Sequence, residues 1–207
     1  MHKLLLPWLY LRRGISANGI LFTMIFLPEP NLWLFSLVHS LVGQSITLDY
    51  VAIFFADYVQ YVIGFVLVLV LLRPQTSRQK RIMVFVAVVA ALTSRFMVKP
   101  FILLFITEPR PFIFLHFTPL INPAAGEEFQ SFPSGHALFF FALATTIYQS
   151  NSRCGTLCFI AVIIMGFARV YTGVHWPLDI LFGAAFGIII GWLVHMLWCR
   201  FAWYKSM

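Results

Sequence analysis

The sequence predicts an all-α fold: an integral membrane bundle of about six transmembrane helices with both termini cytoplasmic. Three observations carry that expectation. Apolar residues make up 61% of the 207-residue chain and charged residues only 10%, too little polar cover for a water-exposed surface. With 23 phenylalanines and a mean hydropathy of +0.90, the chain is also far from the composition of disordered segments. Finally, the apolar residues fall into runs close to the length of about 20 that a spanning helix needs, and basic residues gather at alternate breaks between them.

Taken in order, the stretch 16–43 is split by Pro28, Glu29 and Pro30 into apolar pieces at 19–27 and 31–43. It reads as one span followed by an interfacial helix. The other five spans are 51–72, 82–106, 135–149, 156–172 and 178–198, separated by polar or Pro-rich breaks. Lys3, Arg12 and Arg13 precede an apolar run without a small-residue cleavage site, so no removable signal peptide is expected. Neither an internal repeat nor a second domain is visible; residues 1–207 read as one membrane-embedded domain whose motifs lie within 99–179. Cys154, Cys158 and Cys199 form no CxxC pair and have no paired histidine at ligand spacing, which argues against both a disulfide framework and a zinc site.

Charge orients the bundle. Ten of the fourteen basic residues lie in four places without a carboxylate: Lys3, Arg12 and Arg13; Arg73, Arg78, Lys80 and Arg81; Arg153; Arg200 and Lys205. Because Lys and Arg accumulate on cytoplasmic loops, six spans threaded between these places leave loops 28–50, 107–134 and 173–177 outside. The net charge of +7 is then mostly topology. Four basic residues are not explained this way: Arg95, Lys99, Arg110 and Arg169. Charges at membrane depth are costly and face polar cavities or partners.

Arg110, in Glu108-Pro-Arg-Pro-Phe112, and Arg169 fall at the outer ends of the third and fifth spans. Phe132-Pro-Ser-Gly-His136 and His175-Trp-Pro-Leu-Asp179 open the fourth and sixth at the same level. Guanidinium groups bind phosphate oxygens bidentately and keep their charge. Ser134 and Gly135 at a helix start offer a cap, close backbone approach and free N–H groups at the positive end of the dipole. His175 and Asp179 are four apart and share a helical face, so the carboxylate can fix the imidazole tautomer and leave the other nitrogen free to attack phosphorus. His136 is placed to protonate the leaving oxygen.

In these motifs the sequence resembles the type-2 phosphatidic acid phosphatase superfamily of integral membrane lipid phosphatases. Pro133-Ser134-Gly135-His136 is intact, Arg169 is followed by His175 and Asp179 at the family spacing, and Arg110-Pro111 stands for the first motif. Two positions depart from the pattern: Ala168 where the family has serine, and Leu103 where it has lysine. The resemblance implies a phosphatase working through a phosphohistidine on His175, with His136 as general acid and Asp179 supporting the nucleophile. It needs no metal and no cofactor. Arg110, Ser134, Gly135 and Arg169 would hold the phosphate; Lys99, one helical turn before Leu103, replaces the missing lysine, or alternatively Arg95 or Lys99 pairs with Asp57.

Asp57-Tyr58, Glu108-Pro-Arg-Pro-Phe112, the Ala- and acid-rich loop before Phe132, and Gly166-Phe-Ala-Arg-Val170 with His175-Trp-Pro-Leu-Asp179 are most similar to the bacterial undecaprenyl-diphosphate phosphatase branch. That branch often has Asp at the position of Gly135. The resemblance implies hydrolysis of undecaprenyl diphosphate at the external face of the inner (plasma) membrane. A phosphorylated lipid and the bilayer are then the partners, with no nucleic acid. The alternatives are a phosphatase or phosphotransferase acting on phosphatidate, phosphatidylglycerophosphate or lipid A phosphate, and a transporter or inactive scaffold that binds such a lipid. His2, His39, His116 and His195 read as interfacial or packing residues, Phe139 to Phe141 as packing, and Glu127 with Glu128 as a solvated loop face.

Overall fold

The computed structural model describes residues 29–123 and 126–204, and among these the regular structure is helical apart from one bridge between Glu108 and Gln130. The helices are α1 (Glu29–His39), α2 (Ile46–Leu72), α3 (Arg78–Leu103), the short α4 (Pro111–Leu115), α5 (Gly135–Ser150), α6 (Ser152–Tyr171) and α7 (Pro177–Tyr204). The expected span at 19–27 and the anchors Lys3, Arg12, Arg13 and Lys205 lie outside the described residues.

Hydroxyl and amide side chains start the long helices where the sequence leaves them room. Ser45 caps α2, Ser77 α3, Ser134 α5 and Asn151 α6, each accepting from a backbone N–H two or three residues into the helix. Among the described residues, α2, α3, α6 and α7 are long and apolar enough to cross a membrane. Their outer faces carry exposed large apolar side chains, such as Phe65 and Leu69 on α2 and Phe96 and Phe101 on α3.

The fourth expected span differs in kind. At about 1.5 Å per residue the 16 residues of α5 cover roughly 24 Å, less than a hydrocarbon core of about 30 Å. It lies at the centre, against α3, α6 and α7, and every residue from Ala137 to Ile147 except Phe139 is buried. Shielded from lipid by its neighbours, α5 is free of the length match that its neighbours obey. The chain before it is used instead to build the outer rim.

A ladder of glycines sets how closely α7 approaches α5. A Cβ at Gly183, Gly187 or Gly191 would lie 2.8 Å from the Ala137 Cβ, 2.7 Å from the Leu138 carbonyl oxygen and 2.5 Å from the Ala142 carbonyl oxygen respectively. Small residues at four-residue spacing permit this backbone contact. Both α2 and α3 contain a wide π-helical turn, Phe54–Tyr58 and Ser94–Val98, a local feature common at functional sites. The segment 31–43, expected in the interface, forms most of α1 and a following turn; the 11 residues of α1 rise only about 16 Å.

Candidate active site

The start of α7 organises the site. Pro177 occupies the first helical position, where its missing N–H is no loss. Asp179, two residues further, reaches back to accept from the Trp176 N–H at 2.8 Å, one half of a capping box. The same oxygen, Oδ2, accepts from the Ser131 hydroxyl at 2.5 Å and faces His175 Nδ1 at 3.3 Å. Trp176, fully buried, packs edge-on against Phe35 and Phe114 and donates its indole N–H to the Pro109 carbonyl at 3.0 Å. His175 is thus held by its neighbours on both sides.

Arg110 reaches the same point from another segment. Residues 108–110 are clasped by the loop 127–131: the Glu108 N–H donates to the Phe129 carbonyl, the Arg110 N–H to the Glu128 carbonyl and the Ser131 N–H to the Glu108 carbonyl, at 2.9 to 3.1 Å. The guanidinium, 1% exposed, donates from Nη1 to the Val174 carbonyl at 3.1 Å and lies 3.4 Å from His175 Nε2. A guanidinium only donates, so Nε2 accepts and carries no proton. Nδ1 then bears the hydrogen and donates to Asp179. Burial, reinforced by the charges of Arg110, Arg169 and Lys99, holds the imidazole well below its ordinary pKa, so it stays neutral.

Arg169, in the last turn of α6, donates from Nη1 to the Ala56 carbonyl at 2.9 Å, in the π-helical turn of α2. Its Nε is one of two buried side-chain polar atoms without a partner among the described residues; Asp179 Oδ1 is the other. At the start of α5, Ser134 and Gly135 are buried. A Cβ on Gly135 would overlap the Arg95 guanidinium, so Arg95 lies across this position and a side chain here would displace it.

Arg95 pairs with Glu127 at 3.5 Å, and Arg110 Nη2 with the other Glu127 oxygen at 2.8 Å. Lys99, buried, donates to the Gln130 carbonyl at 3.3 Å. Neither Arg95 nor Lys99 pairs with Asp57 among the described residues. The expectation of a solvated face fails for Glu127, which is 27% exposed and closes over two guanidinium groups that attract it into the site.

His136, in the first turn of α5, meets Gln60 of α2: Nε2 and Oε1 are 2.9 Å apart. The amide is fixed because its Nε2 donates to the Asp57 carbonyl at 2.8 Å. Oε1 therefore accepts, and His136 Nε2 carries the proton. Gln60, His136, Gly135 and Arg95 form the polar end of a cavity of about 520 Å³ between α2, α3 and α5, whose remaining wall includes Leu67, Leu71 and Phe139. A larger cavity of about 880 Å³, lined by Arg78, Phe85 and Trp198 among others, contains neither histidine nor carboxylate.

All eight residues singled out in the sequence, Lys99, Arg110, Ser134, Gly135, His136, Arg169, His175 and Asp179, lie at this end of the bundle. Gln60, Arg95, Glu108, Glu127 and Ser131 join them. Of the histidines read as packing, His39 donates to the Tyr171 carbonyl at 2.9 Å and lies against Phe35 and Phe117. His195 meets Ser150 at 3.4 Å, His116 closes α4 with φ 58°, and His2 is outside the described residues.

The chain has known relatives. Residues 82–203, more than half of the chain, match the family model of the PAP2 superfamily, and the chain belongs to that superfamily. With its membrane-crossing helices it is a multi-pass membrane lipid phosphatase, a hydrolase. It is similar to the bacitracin transport permease protein BcrC of Bacillus licheniformis, 30% identical over 162 residues, which cover 78% of this chain and 77% of that one. Undecaprenyl-diphosphatase BcrC of Bacillus subtilis (strain 168) is 28% identical over 164 residues, 79% of this chain and 81% of that one. Among solved structures, that of Aquifex aeolicus LpxE superposes with a TM-score of 0.62 at 28% identity, covering 81% of this chain and 96% of that one.

Proposed function

We propose that the chain hydrolyses a lipid diphosphate, undecaprenyl diphosphate to the monophosphate, through a phosphohistidine on His175 at the external face of the plasma membrane. The observation that carries this reading is the unprotonated Nε2 of His175, 3.4 Å from Arg110 Nη1, with Nδ1 committed to Asp179. A lone pair beside a guanidinium is a nucleophile beside an anion holder.

In the first half-reaction Nε2 bonds to the terminal phosphorus as the bridging P–O bond breaks, and His136, as the imidazolium, gives the ring proton not held by Gln60 to the departing monophosphate. In the second, water adds to phosphorus, its proton passes to His136, the N–P bond breaks and inorganic phosphate leaves. Asp179 offsets the positive charge on the phosphorylated ring. Arg110 and Arg169 hold the phosphate oxygens, and the unpartnered Arg169 Nε is a donor such an oxygen satisfies. Ser134 and Gly135 bring the start of α5 to the phosphate beside Arg95, which lies across Gly135, and Lys99 adds positive charge nearby. Entry of the phosphate displaces Glu127 from Arg110.

Two features favour a polyprenyl diphosphate over a monoester. One similar protein carries the name undecaprenyl-diphosphatase, and the cavity at His136 runs from a charged end into an apolar wall between helices, which suits a long tail held by the bilayer. Arg73, Arg78, Arg153 and Arg200 sit at the opposite ends of these same helices, in keeping with an external site under the positive-inside rule. The test is phosphate release by purified protein from undecaprenyl diphosphate, phosphatidate, phosphatidylglycerophosphate and lipid A phosphate, without added metal and then with a chelator. The diphosphate is expected to turn over fastest and the chelator to change nothing. A faster monoester overturns the substrate, and loss of activity on chelation overturns the metal-free route.

A further inference from the structure

Asp179 has two faces. Oδ2 takes bonds from Ser131, Trp176 and His175, whereas Oδ1 is buried without a partner among the described residues. Ser131 joins Asp179 to a second carboxyl: its hydroxyl donates to Asp179 Oδ2 and its N–H to the carbonyl of Glu108, whose side chain is 1% exposed and near enough to feel the Asp179 charge. The Glu108 backbone is fixed, its N–H and carbonyl tied to Phe129 and Ser131 at 3.1 and 3.0 Å. No cation pairs with it: the ion pairs among the described residues are Arg95–Glu127, Arg110–Glu127 and His175–Asp179.

Two neighbouring buried carboxylates repel unless one keeps a proton. Three donors on Oδ2 stabilise the anion at Asp179, and Glu108 has no comparable donors among the described residues, so the proton belongs on Glu108. There it turns repulsion into an O–H···O bond to Oδ1 and satisfies the orphaned atom. Burial, then the Asp179 charge, push the Glu108 carboxyl well above the ordinary carboxylate range. The charged and titratable groups around the pair are His175 from the α6–α7 turn, Arg110 from Glu108's own segment, Lys99 from α3 and Glu127 from the facing loop.

We propose that Glu108 is a positioning residue for the nucleophile: its carboxyl donates a hydrogen bond to Asp179 Oδ1, keeps Asp179 anionic toward His175, and so fixes the imidazole with Nδ1 protonated and Nε2 free. This role rests on the reading of His175 as the attacking group. It acts through Asp179 and touches no phosphate.

Two readouts test it. Glu108→Ala is expected to lower kcat about tenfold or more with KM little changed, and Glu108→Gln, which keeps an N–H donor, to recover most of that loss. The infrared carbonyl band of a protonated carboxylic acid is then recorded at about pH 8 in His175→Ala, which does not turn over, and in His175→Ala with Glu108→Gln. The band is expected in the first and absent from the second. A band that survives without Glu108, or a Glu108→Ala variant with unaltered kcat, overturns the proposal. A band that behaves as expected in a protein that forms no phosphohistidine leaves the proton on Glu108 and removes the reaction it was to serve.

Discussion

Replacing Asp179 with Asn isolates the charge on the nucleophile's support. The amide could sit either way round, but the structure selects one. Ser131, the Trp176 N–H and His175 Nδ1 all donate to the Oδ2 position, so the amide oxygen takes it and the NH2 turns toward Glu108. Arg110 Nη1, a donor 3.4 Å from Nε2, opposes the tautomer that would protonate that nitrogen. The His175 tautomer therefore survives, and only the negative charge is lost. A hydrogen bond to a charged group contributes about 1.5–3 kcal/mol against about 1 for a neutral one, and the positive charge on the phosphorylated ring loses its counter-charge as well. Together these amount to about 2–3 kcal/mol, or about 30- to 150-fold in kcat. Phosphate release in detergent gives kcat and KM, and thermal melting verifies the fold. A loss beyond about 10⁴-fold in folded protein would mean that the tautomer is not held by Arg110. A loss under about threefold would mean that Asp179 does not act on His175.

Gln60→Leu removes the acceptor for His136 Nε2–H; leaving that buried donor unpaired is expected to cost about 1–3 kcal/mol, seen as at least a fivefold to tenfold lower kcat in steady-state assays, and unchanged kcat would dissociate Gln60 from the acid. Glu127→Gln frees Arg110 and Arg95 of a competing carboxylate, so KM for the anionic substrate is expected to fall about fivefold, about 1 kcal/mol of ion-pair attraction; a raised KM would assign Glu127 to substrate binding. Gly187→Val places a side chain where a Cβ already lies 2.7 Å from the Leu138 carbonyl, and overpacking of about 1–3 kcal/mol is expected to lower the melting temperature of detergent-solubilised protein. An unchanged melting temperature would show that α5 and α7 have room to separate.

The spans were legible because a run of apolar residues has few other uses, and the site motifs because charged residues at membrane depth need partners. Gln60 carried that same signal, a polar amide in an apolar run, and sequence reasoning passed over it. Gly183, Gly187 and Gly191 likewise announced a close helix contact by their spacing. Glu127 was misread because a loop acid is usually solvated; only the fold brings two guanidinium groups beneath it. The π-helical turns at Phe54–Tyr58 and Ser94–Val98 and the clasp of 108–110 by 127–131 leave no pattern in the sequence, since both depend on backbone geometry set by distant neighbours. So does the meeting of Glu108 and Asp179, 71 positions apart in the chain by their numbers.

The central claim is that His175 Nε2 becomes covalently bound to phosphorus. Rapid mixing of purified protein with undecaprenyl diphosphate labelled in its terminal phosphate, followed by alkaline quench and peptide mapping, tests it directly. The expected result is an acid-labile, alkali-stable phosphate on the peptide that contains His175, absent from His175→Ala. Turnover without any labelled protein, or label on a different residue, would contradict it.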